Sequence, residues 1–285
     1  MSTIVGVHGI AQQQFGRHLL QAPWVQALAD GMERASGTRV EQPDLDIAFY
    51  GDLFPDVKPD GAKGIGDAGL DGLDEADVEL VVAAAGQVLT NADLASADAG
   101  PSKGFPGIPS AVLRVVAAID RRFGADAGPL FVGELRQARR YLTDAALKHQ
   151  VDERVAAATA GCRVLIGHSL GSVVALEYLR GHPDHELAMV LTMGSPLALR
   201  AIRHLLPEPG FGTEPTGPPN VAQWRNLRDP RDPVALAGGL GADWPVVVDD
   251  NTINNGRKAH AATRYLAKRQ AGAAVVDTDL RIVAP

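Results

Sequence analysis

Short apolar runs alternate along the chain with segments whose apolar residues recur at helical spacing. Apolar, often β-branched runs typical of buried strands occur at residues 4–7, 46–50, 164–166, 189–193, 223–227 and 245–248. Helix-face spacing occurs at residues 24–34, 74–89, 112–122, 134–149, 151–160, 173–179 and 259–270, with Pro23 expected in a first turn. Such alternation is typical of parallel sheets covered on both faces. The pattern therefore predicts an α/β fold: a mostly parallel central sheet with helices on both faces.

Two segments interrupt this alternation. Residues 51–127 combine a stretch rich in glycine, aspartate and alanine with helical patterns and are interpreted as an insertion, while residues 197–221 form a short loop rich in proline and glycine. A length of 285 residues fits one large α/β domain or two small ones, and residues 1–285 are expected to form a single domain. Within the insertion, residues 64–69 match G-x-G-x-x-G, but no strand pattern precedes them. We therefore expect a linker there and no dinucleotide site.

The segment VLIGHSLGSVVA, residues 164–175, changes from a strand pattern to a helix pattern within a few residues. Ser169 lies at its centre, with Gly167 and Gly171 two residues to either side, which matches the G-x-S-x-G nucleophile elbow. Small residues at these two positions let the strand and the helix approach each other closely. We expect the Ser169 hydroxyl to stand exposed above the sheet, near the free N–H groups of the following helix.

With this motif between a predicted strand and a predicted helix, the chain resembles the α/β-hydrolase superfamily, and within it the serine hydrolases of the lipase and esterase type. The resemblance implies a triad in the chain order Ser, then Asp or Glu, then His, with Ser169 as the nucleophile. His260, in the turn before the last predicted helix, is then the general base. Three other histidines precede the expected acid and so have the wrong order: His182, His185 and His204.

The acid of the triad is expected just after a strand that lies between Ser169 and His260. The segment WRNLRDPRDPVAL offers Asp229 and Asp232, each followed by a proline that keeps the aspartate out of the helical conformation. Hydrolases of this kind commonly carry an apolar residue shortly after the acid, so Asp232 is preferred and Asp229 is the alternative. Asp249 and Asp250 remain as further candidates.

The first predicted strand leads into VHGI, residues 7–10, which resembles the His-Gly loop that builds the oxyanion hole in lipases and esterases. The resemblance implies that the backbone N–H groups of Ile10 and Leu170 are the two oxyanion donors. A typical family member has two strands before this one, so we expect a sheet that is trimmed at its N-terminal edge. The supporting residues are expected to be His8, Gly9, Gly167, His168 and Gly171.

The resemblance implies a serine hydrolase that cleaves a carboxylic ester or thioester through an acyl-enzyme on Ser169. The same triad could serve an acyltransferase, a cyclising thioesterase or a peptidase. A ligand-binding protein without turnover could also retain this fold. The expected partner is a small-molecule acyl substrate, and neither a metal ion nor an organic cofactor is expected.

Charge and composition narrow the classes of partner. A formal net charge of −7 gives no basic stripe that would attract nucleic acid or an anionic membrane. No run of about 18 apolar residues is present, so no membrane span is expected, and the first residues lack the features of a secretory signal, which favours a cytoplasmic location. Cys162 is the only cysteine, so internal disulfides and a cysteine-rich metal site are not expected. The sequence leaves the oligomeric state open.

Overall fold

The computed structural model of the chain describes residues 2–10, 12, 15–54, 70–97 and 107–278. Within them the strands form one six-stranded sheet in the order β2-β1-β3-β4-β5-β6, and every neighbouring pair is parallel. The predicted α/β fold with a parallel sheet is confirmed. The strands are β1 (Ile4–Val7), β2 (Leu45–Ala48), β3 (Val164–His168), β4 (Met189–Met193), β5 (Trp224–Leu227) and β6 (Val248–Asp250).

Helices cover both faces of this sheet. On one face pack α1 (Arg17–Ser36), α9 (Ala262–Leu266) and α10 (Arg269–Val276). The other face is covered from the middle of the chain, by α2 (Glu75–Val88), α3 (Asn91–Ala97), α4 (Ser110–Phe123), α5 (Ala127–Thr143), α6 (Ala145–Thr159), α7 (Leu170–Gly181) and α8 (Arg200–Arg203).

The continuous apolar runs of the strands follow from this double cover. Successive side chains of a strand point to opposite faces, and here each face meets a hydrophobic layer. In β3, for example, Leu165 packs with the mid-chain helices, while Val164 and Ile166 pack with α1 and the C-terminal helices. The carboxyl ends of all six strands lie at one edge of the sheet, which is where an α/β fold gathers functional residues.

The first helix begins earlier than the pattern predicts. It starts at Arg17 and not near residue 24, so Pro23 lies inside the helix and its expected place in the first turn is wrong. A proline there cannot donate to the carbonyl of Leu19. Leu19 is exposed, so water can satisfy that carbonyl and the helix continues through the proline.

The long helical region before β3 is broken at a different residue from the one predicted. The predicted helices at 134–149 and 151–160 are in fact α5 and α6, which meet at Asp144. Asp144 is extended, and its side chain accepts hydrogen bonds from the N–H groups of Ala146 and Leu147, as an N-cap does. The sequence pattern did not predict helix α3. Residues 64–69, where a linker is expected, lie outside the described residues.

The C-terminal region differs from the single helix predicted at 259–270. It forms α9 and α10, and the extended Lys268 between them lets α10 turn against α1. A Cβ on Gly272 would collide with the backbone of Gly31, so the two helices touch through their backbones. The last strand is also displaced, from the predicted 245–248 to Val248–Asp250. Val248–Asp250 pairs with β5, and the Asp249 carboxylate also accepts a hydrogen bond from the Asn226 side chain of that strand.

We expect Gly272→Ala to destabilise the protein by about 1–3 kcal/mol, because the added methyl group must push α10 away from α1. The matched control is Gly86→Ala, inside α2, where a Cβ would meet no atom within 4 Å. That change should raise stability by up to about 1 kcal/mol, since alanine is the better helix former. Chemical denaturation of both variants measures the difference, and equal effects would contradict the backbone contact.

No helix among the described residues is both long enough and apolar enough to cross a bilayer.

Candidate active site

Ser169 occupies the turn between β3 and α7 in a backbone conformation that side chains seldom adopt. Its φ is 58° and its ψ is −129°, and Asp126 is the other non-glycine residue with positive φ in the described part of the chain. Such a conformation costs on the order of 1–3 kcal/mol and is characteristic of functional turns. The flanking glycines permit it, because a Cβ on Gly167 would lie 2.7 Å from the Gly171 carbonyl oxygen, and one on Gly171 would strike the Val7 carbonyl.

The structure brings Ser169, His260 and Asp232 together in a chain of hydrogen bonds. Ser169 Oγ lies 2.8 Å from His260 Nε2, and His260 Nδ1 lies 2.8 and 2.9 Å from the two Asp232 carboxylate oxygens. Since an ionised carboxylate can only accept, His260 Nδ1 carries the proton. In the neutral ring, His260 Nε2 is then the free lone pair that accepts from the serine hydroxyl.

Asp232 is completely buried and held by two further donors. The Tyr265 hydroxyl donates to Oδ2 at 2.7 Å, and the Val234 N–H donates to Oδ1 at 2.9 Å. Burial alone would raise the pKa of Asp232, but the neighbouring His260 and these hydrogen bonds outweigh it and lower the pKa. Sequence reasoning did not single out Tyr265, because a tyrosine at helical spacing is indistinguishable from an ordinary core residue.

The other candidate acids have different partners. Asp229 is also fully buried, but its carboxylate accepts from the N–H groups of Arg231, at 2.9 Å, and Asn255, at 2.6 Å. Asp249 accepts from the Asn226 side chain and the 240–241 backbone, and Asp250 accepts from Thr252. Of the four candidates, Asp232 is the one placed at His260. Asp229 instead connects two loops, the one that contains Asp232 and the one that contains His260.

Burial and charge act on His260 in opposite directions. Burial lowers the pKa of the imidazole, but the Asp232 carboxylate outweighs this effect and raises the pKa above its ordinary value. The carboxylate thus makes the ring a stronger base toward the serine proton.

His168 fixes the backbone of the histidine loop. Its Nε2 donates to the His260 carbonyl oxygen at 2.7 Å, so Nε2 carries a proton. Burial is the main reason that the pKa of His168 falls to about 3, with the adjacent His260 adding to the effect. His168, the residue before Ser169, therefore positions His260, with which Ser169 forms its hydrogen bond.

The His8–Gly9 loop packs directly against the serine. A Cβ on Gly9 would lie 2.7 Å from the Ser169 Cβ, so this approach requires glycine. The buried His8 donates from Nδ1 to the Gly9 carbonyl at 2.7 Å and accepts from the Tyr50 N–H at 3.1 Å, and burial lowers its pKa to about 4. Neutral His8 therefore braces the loop, and the Tyr50 hydroxyl donates to its carbonyl.

The two predicted oxyanion donors lie on opposite sides of Ser169 in the sequence but close to it in space. Ile10 follows the Gly9 contact and lines a cleft. Leu170 is the first residue of α7, where a backbone N–H has no acceptor within its own helix. The arrangement suits two N–H groups directed at a developing anion.

Ser169 itself is not exposed, contrary to expectation: its exposed fraction is 0%. The adjacent cleft, about 660 Å³ in volume, reaches His260, His8, Gly9 and Ile10, and the serine lies behind them. The close contact of the Gly9 loop covers the serine from one side. The remaining wall of the cleft is largely apolar and includes Phe15, Leu19, Leu20, Trp24, Phe123 and Leu130.

Glu134 of α5 is a buried acid that sequence reasoning missed. Its exposed fraction is 1%, and neither carboxylate oxygen has a hydrogen-bond partner within the described residues. Burial raises the pKa of Glu134 to about 7, although His260, the Ser169 hydroxyl and the Leu170 N–H lie near enough to act in the opposite direction. The only sequence signal is one acid on the otherwise apolar face of a helix, FVGELRQA.

No group of three or more metal-binding side chains is found in the described ranges. Comparison with protein families, with curated proteins and with solved structures finds no match to the chain. The assignment to the α/β hydrolases therefore stays a prediction that rests on the residues and their geometry.

Proposed function

We propose that the protein is a serine hydrolase that cleaves a carboxylic ester or thioester through an acyl-enzyme on Ser169. The single observation that carries the proposal is the hydrogen-bonded chain Ser169–His260–Asp232 at a strained strand-to-helix turn. A structural serine needs neither the strained backbone nor a buried imidazole and carboxylate behind it. The folding free energy that these features cost is understandable if the Ser169 hydroxyl is a nucleophile.

In the proposed mechanism, Ser169 Oγ attacks the acyl carbonyl carbon while its proton passes to His260 Nε2. The carbonyl oxygen becomes an oxyanion and accepts hydrogen bonds from the N–H groups of Ile10 and Leu170. When the tetrahedral intermediate collapses, the C–O or C–S bond to the leaving group breaks, and the leaving atom takes the proton from His260. A water molecule then repeats the sequence on the acyl-enzyme, which releases the acid and restores Ser169.

Asp232 supports each step by holding His260 in one tautomer and by stabilising the imidazolium that forms. The Tyr265 hydroxyl and the Val234 N–H keep that carboxylate in place. The apolar cleft wall suits the hydrocarbon part of a small-molecule acyl substrate. The cytoplasmic location expected from the sequence belongs to the same proposal.

A fluorophosphonate probe tests the nucleophile directly. We expect one probe per chain, attached at Ser169, because the Oγ of a serine whose proton an imidazole removes attacks the phosphorus atom and displaces fluoride. Peptide mapping by mass spectrometry distinguishes Ser169 from Ser172 in the same segment. Ser110→Ala, at an exposed helix start, is the matched control and should label fully. Full labelling of Ser169→Ala would refute the proposal.

A further inference from the structure

Glu134 is an ionisable side chain that is buried in the interior, where an ionised carboxylate is energetically costly. Buried carboxylates are normally paired or hydrogen-bonded, and this one has no partner among the described residues. Two cations on its own helix serve other acids, since Arg136 pairs with Asp77 of α2 and Arg139 with Asp77 and Asp74. Helix α5 therefore places an uncompensated carboxyl group beside the proposed nucleophile.

The position of this carboxyl group relates to the proposed oxyanion. Helix α5, which carries Glu134, packs against α7, whose first residue is Leu170. The Ser169 hydroxyl and the Leu170 N–H both act on the pKa of Glu134, and they are the attacking group and one of the two proposed donors. A carbonyl oxygen that is attacked by Ser169 develops its charge between those groups. An ionised Glu134 there would repel the oxyanion, whereas a protonated one would present an O–H group toward it.

We propose that Glu134 is a catalytic residue whose protonated carboxyl group donates a third hydrogen bond to the oxyanion, and whose ionisation stops turnover. This inference rests on the proposed hydrolase function. A carboxylic acid kept neutral by an apolar site is an established way to build an oxyanion donor in enzymes of other folds. The two Glu134 carboxyl oxygens lack a hydrogen-bond partner in the described part of the chain because their proposed partner, the oxyanion, forms only during the reaction.

The charges around Glu134 set the direction of the pH dependence. Burial raises its pKa to about 7, so the acid form predominates below that pH and the carboxylate above it. His260 must be neutral to accept the serine proton, and the pKa of His260 is also raised. Turnover should therefore fall on both sides of a narrow optimum, with limbs that belong to the Glu134–His260 pair. The groups that interact with the Glu134 carboxyl group are the Ser169 hydroxyl, the Leu170 N–H, His260, Asp232 and Tyr50.

A second explanation of a buried carboxylate is that it binds a substrate ammonium group. The cleft argues against a cationic substrate, because three cations, Arg231, Arg257 and Lys258, line it and Asp126 is the one acid among its lining residues. The influence of the Leu170 N–H on the pKa of Glu134 also favours a place for this carboxyl group near the oxyanion and not beyond the acyl group. We therefore treat ammonium binding as an outcome that the experiment must separate.

The test compares kcat and kcat/KM against pH for wild type, Glu134→Gln and Glu134→Leu with p-nitrophenyl esters. Wild type should lose about tenfold in kcat per pH unit on its alkaline limb. Glu134→Gln, neutral but still a donor, should lose that limb and hold its plateau to about pH 9. Glu134→Leu should also lose the limb, with a kcat plateau about 10²-fold lower because one donor is absent.

Each other result has a definite meaning. An alkaline limb that survives in Glu134→Gln overturns the proposal, and so does a Glu134→Leu plateau equal to that of Glu134→Gln. A loss of kcat/KM confined to substrates with an amine next to the carbonyl would assign Glu134 to ammonium binding instead. Glu153→Gln, exposed on α6, is the control and should keep the wild-type profile.

Fluorophosphonate labelling separates failure of this inference from failure of the proposed function. Labelling of Ser169 in both wild type and Glu134→Gln near pH 6, with unchanged pH profiles, would leave the hydrolase standing and remove the role of Glu134. The absence of labelling and of ester turnover in wild type would remove both.

Discussion

Replacement of His260 by alanine is expected to lower kcat for p-nitrophenyl ester hydrolysis by about 10⁶-fold. Without the imidazole, the Ser169 hydroxyl keeps its proton and loses its 2.8 Å hydrogen bond to Nε2. The residual rate would come from the backbone donors and from substrate binding alone. Stopped-assay kinetics over long incubation, with wild-type contamination excluded by fluorophosphonate titration, measure a loss of this size.

Two further variants give this prediction its control. His204→Ala changes an exposed histidine outside the site and should leave kcat unchanged. Ser169→Ala combined with His260→Ala should be no slower than either single variant, because the two residues act as one unit. Losses that multiply in the double variant, or a His260→Ala enzyme within about tenfold of wild type, would show that the imidazole is not the base.

Asp232→Asn is expected to lower kcat by about 10⁴-fold with little change in KM. The pKa of Asp232 is lowered, so at any assay pH near neutrality the group is a carboxylate that accepts from His260 Nδ1. An amide can instead donate to Nδ1, which moves the imidazole proton to Nε2. The ring then presents an N–H group to Ser169 and cannot take its proton. Steady-state kinetics between pH 6 and 9 measure both parameters.

Asp229→Asn is the matched control, since both aspartates are fully buried and both precede a proline. Its carboxylate accepts from the N–H groups of Arg231 and Asn255 and does not contact His260. We therefore expect normal kcat, with a lower melting temperature because a buried acceptor is weakened. If the two variants exchanged these phenotypes, Asp229 would be the acid.

Local patterns predicted the parallel sheet, apart from the position of its last strand, while the resemblance to the α/β hydrolases pointed to Ser169, to His260 and to Asp232, with Asp229 as the alternative acid. Apolar runs define strands whose two faces are both buried, and strands of a parallel sheet bring their carboxyl ends to one edge. Ser169 and Asp232 both follow such ends, after β3 and β5. Proline after each aspartate limited the acid to a few positions, although Asp232 and Asp229 could be separated only by the packing of the loops.

Features that depend on contacts between distant segments could not be predicted. Glu134 and Tyr265 lie on helices whose spacing indicates core packing, and only the fold places them beside Ser169 and Asp232. The burial of Ser169 likewise follows from the approach of the Gly9 loop, which is remote in sequence. The break at Asp144 is different, because its N-cap chemistry is local, but continuous helical spacing on both sides concealed it.

The residues gathered around Ser169 come from distant parts of the polypeptide, and this has a consequence for biosynthesis. The Gly9 loop and the turn at Ser169 emerge from the ribosome well before His260 and Tyr265, and α10 can pack on α1 only after residues 269–276 have been made. Until His260 has been made, a nascent chain would hold a strained serine without its proposed base. We therefore expect a truncated translation product that ends before His260 to be inert toward esters.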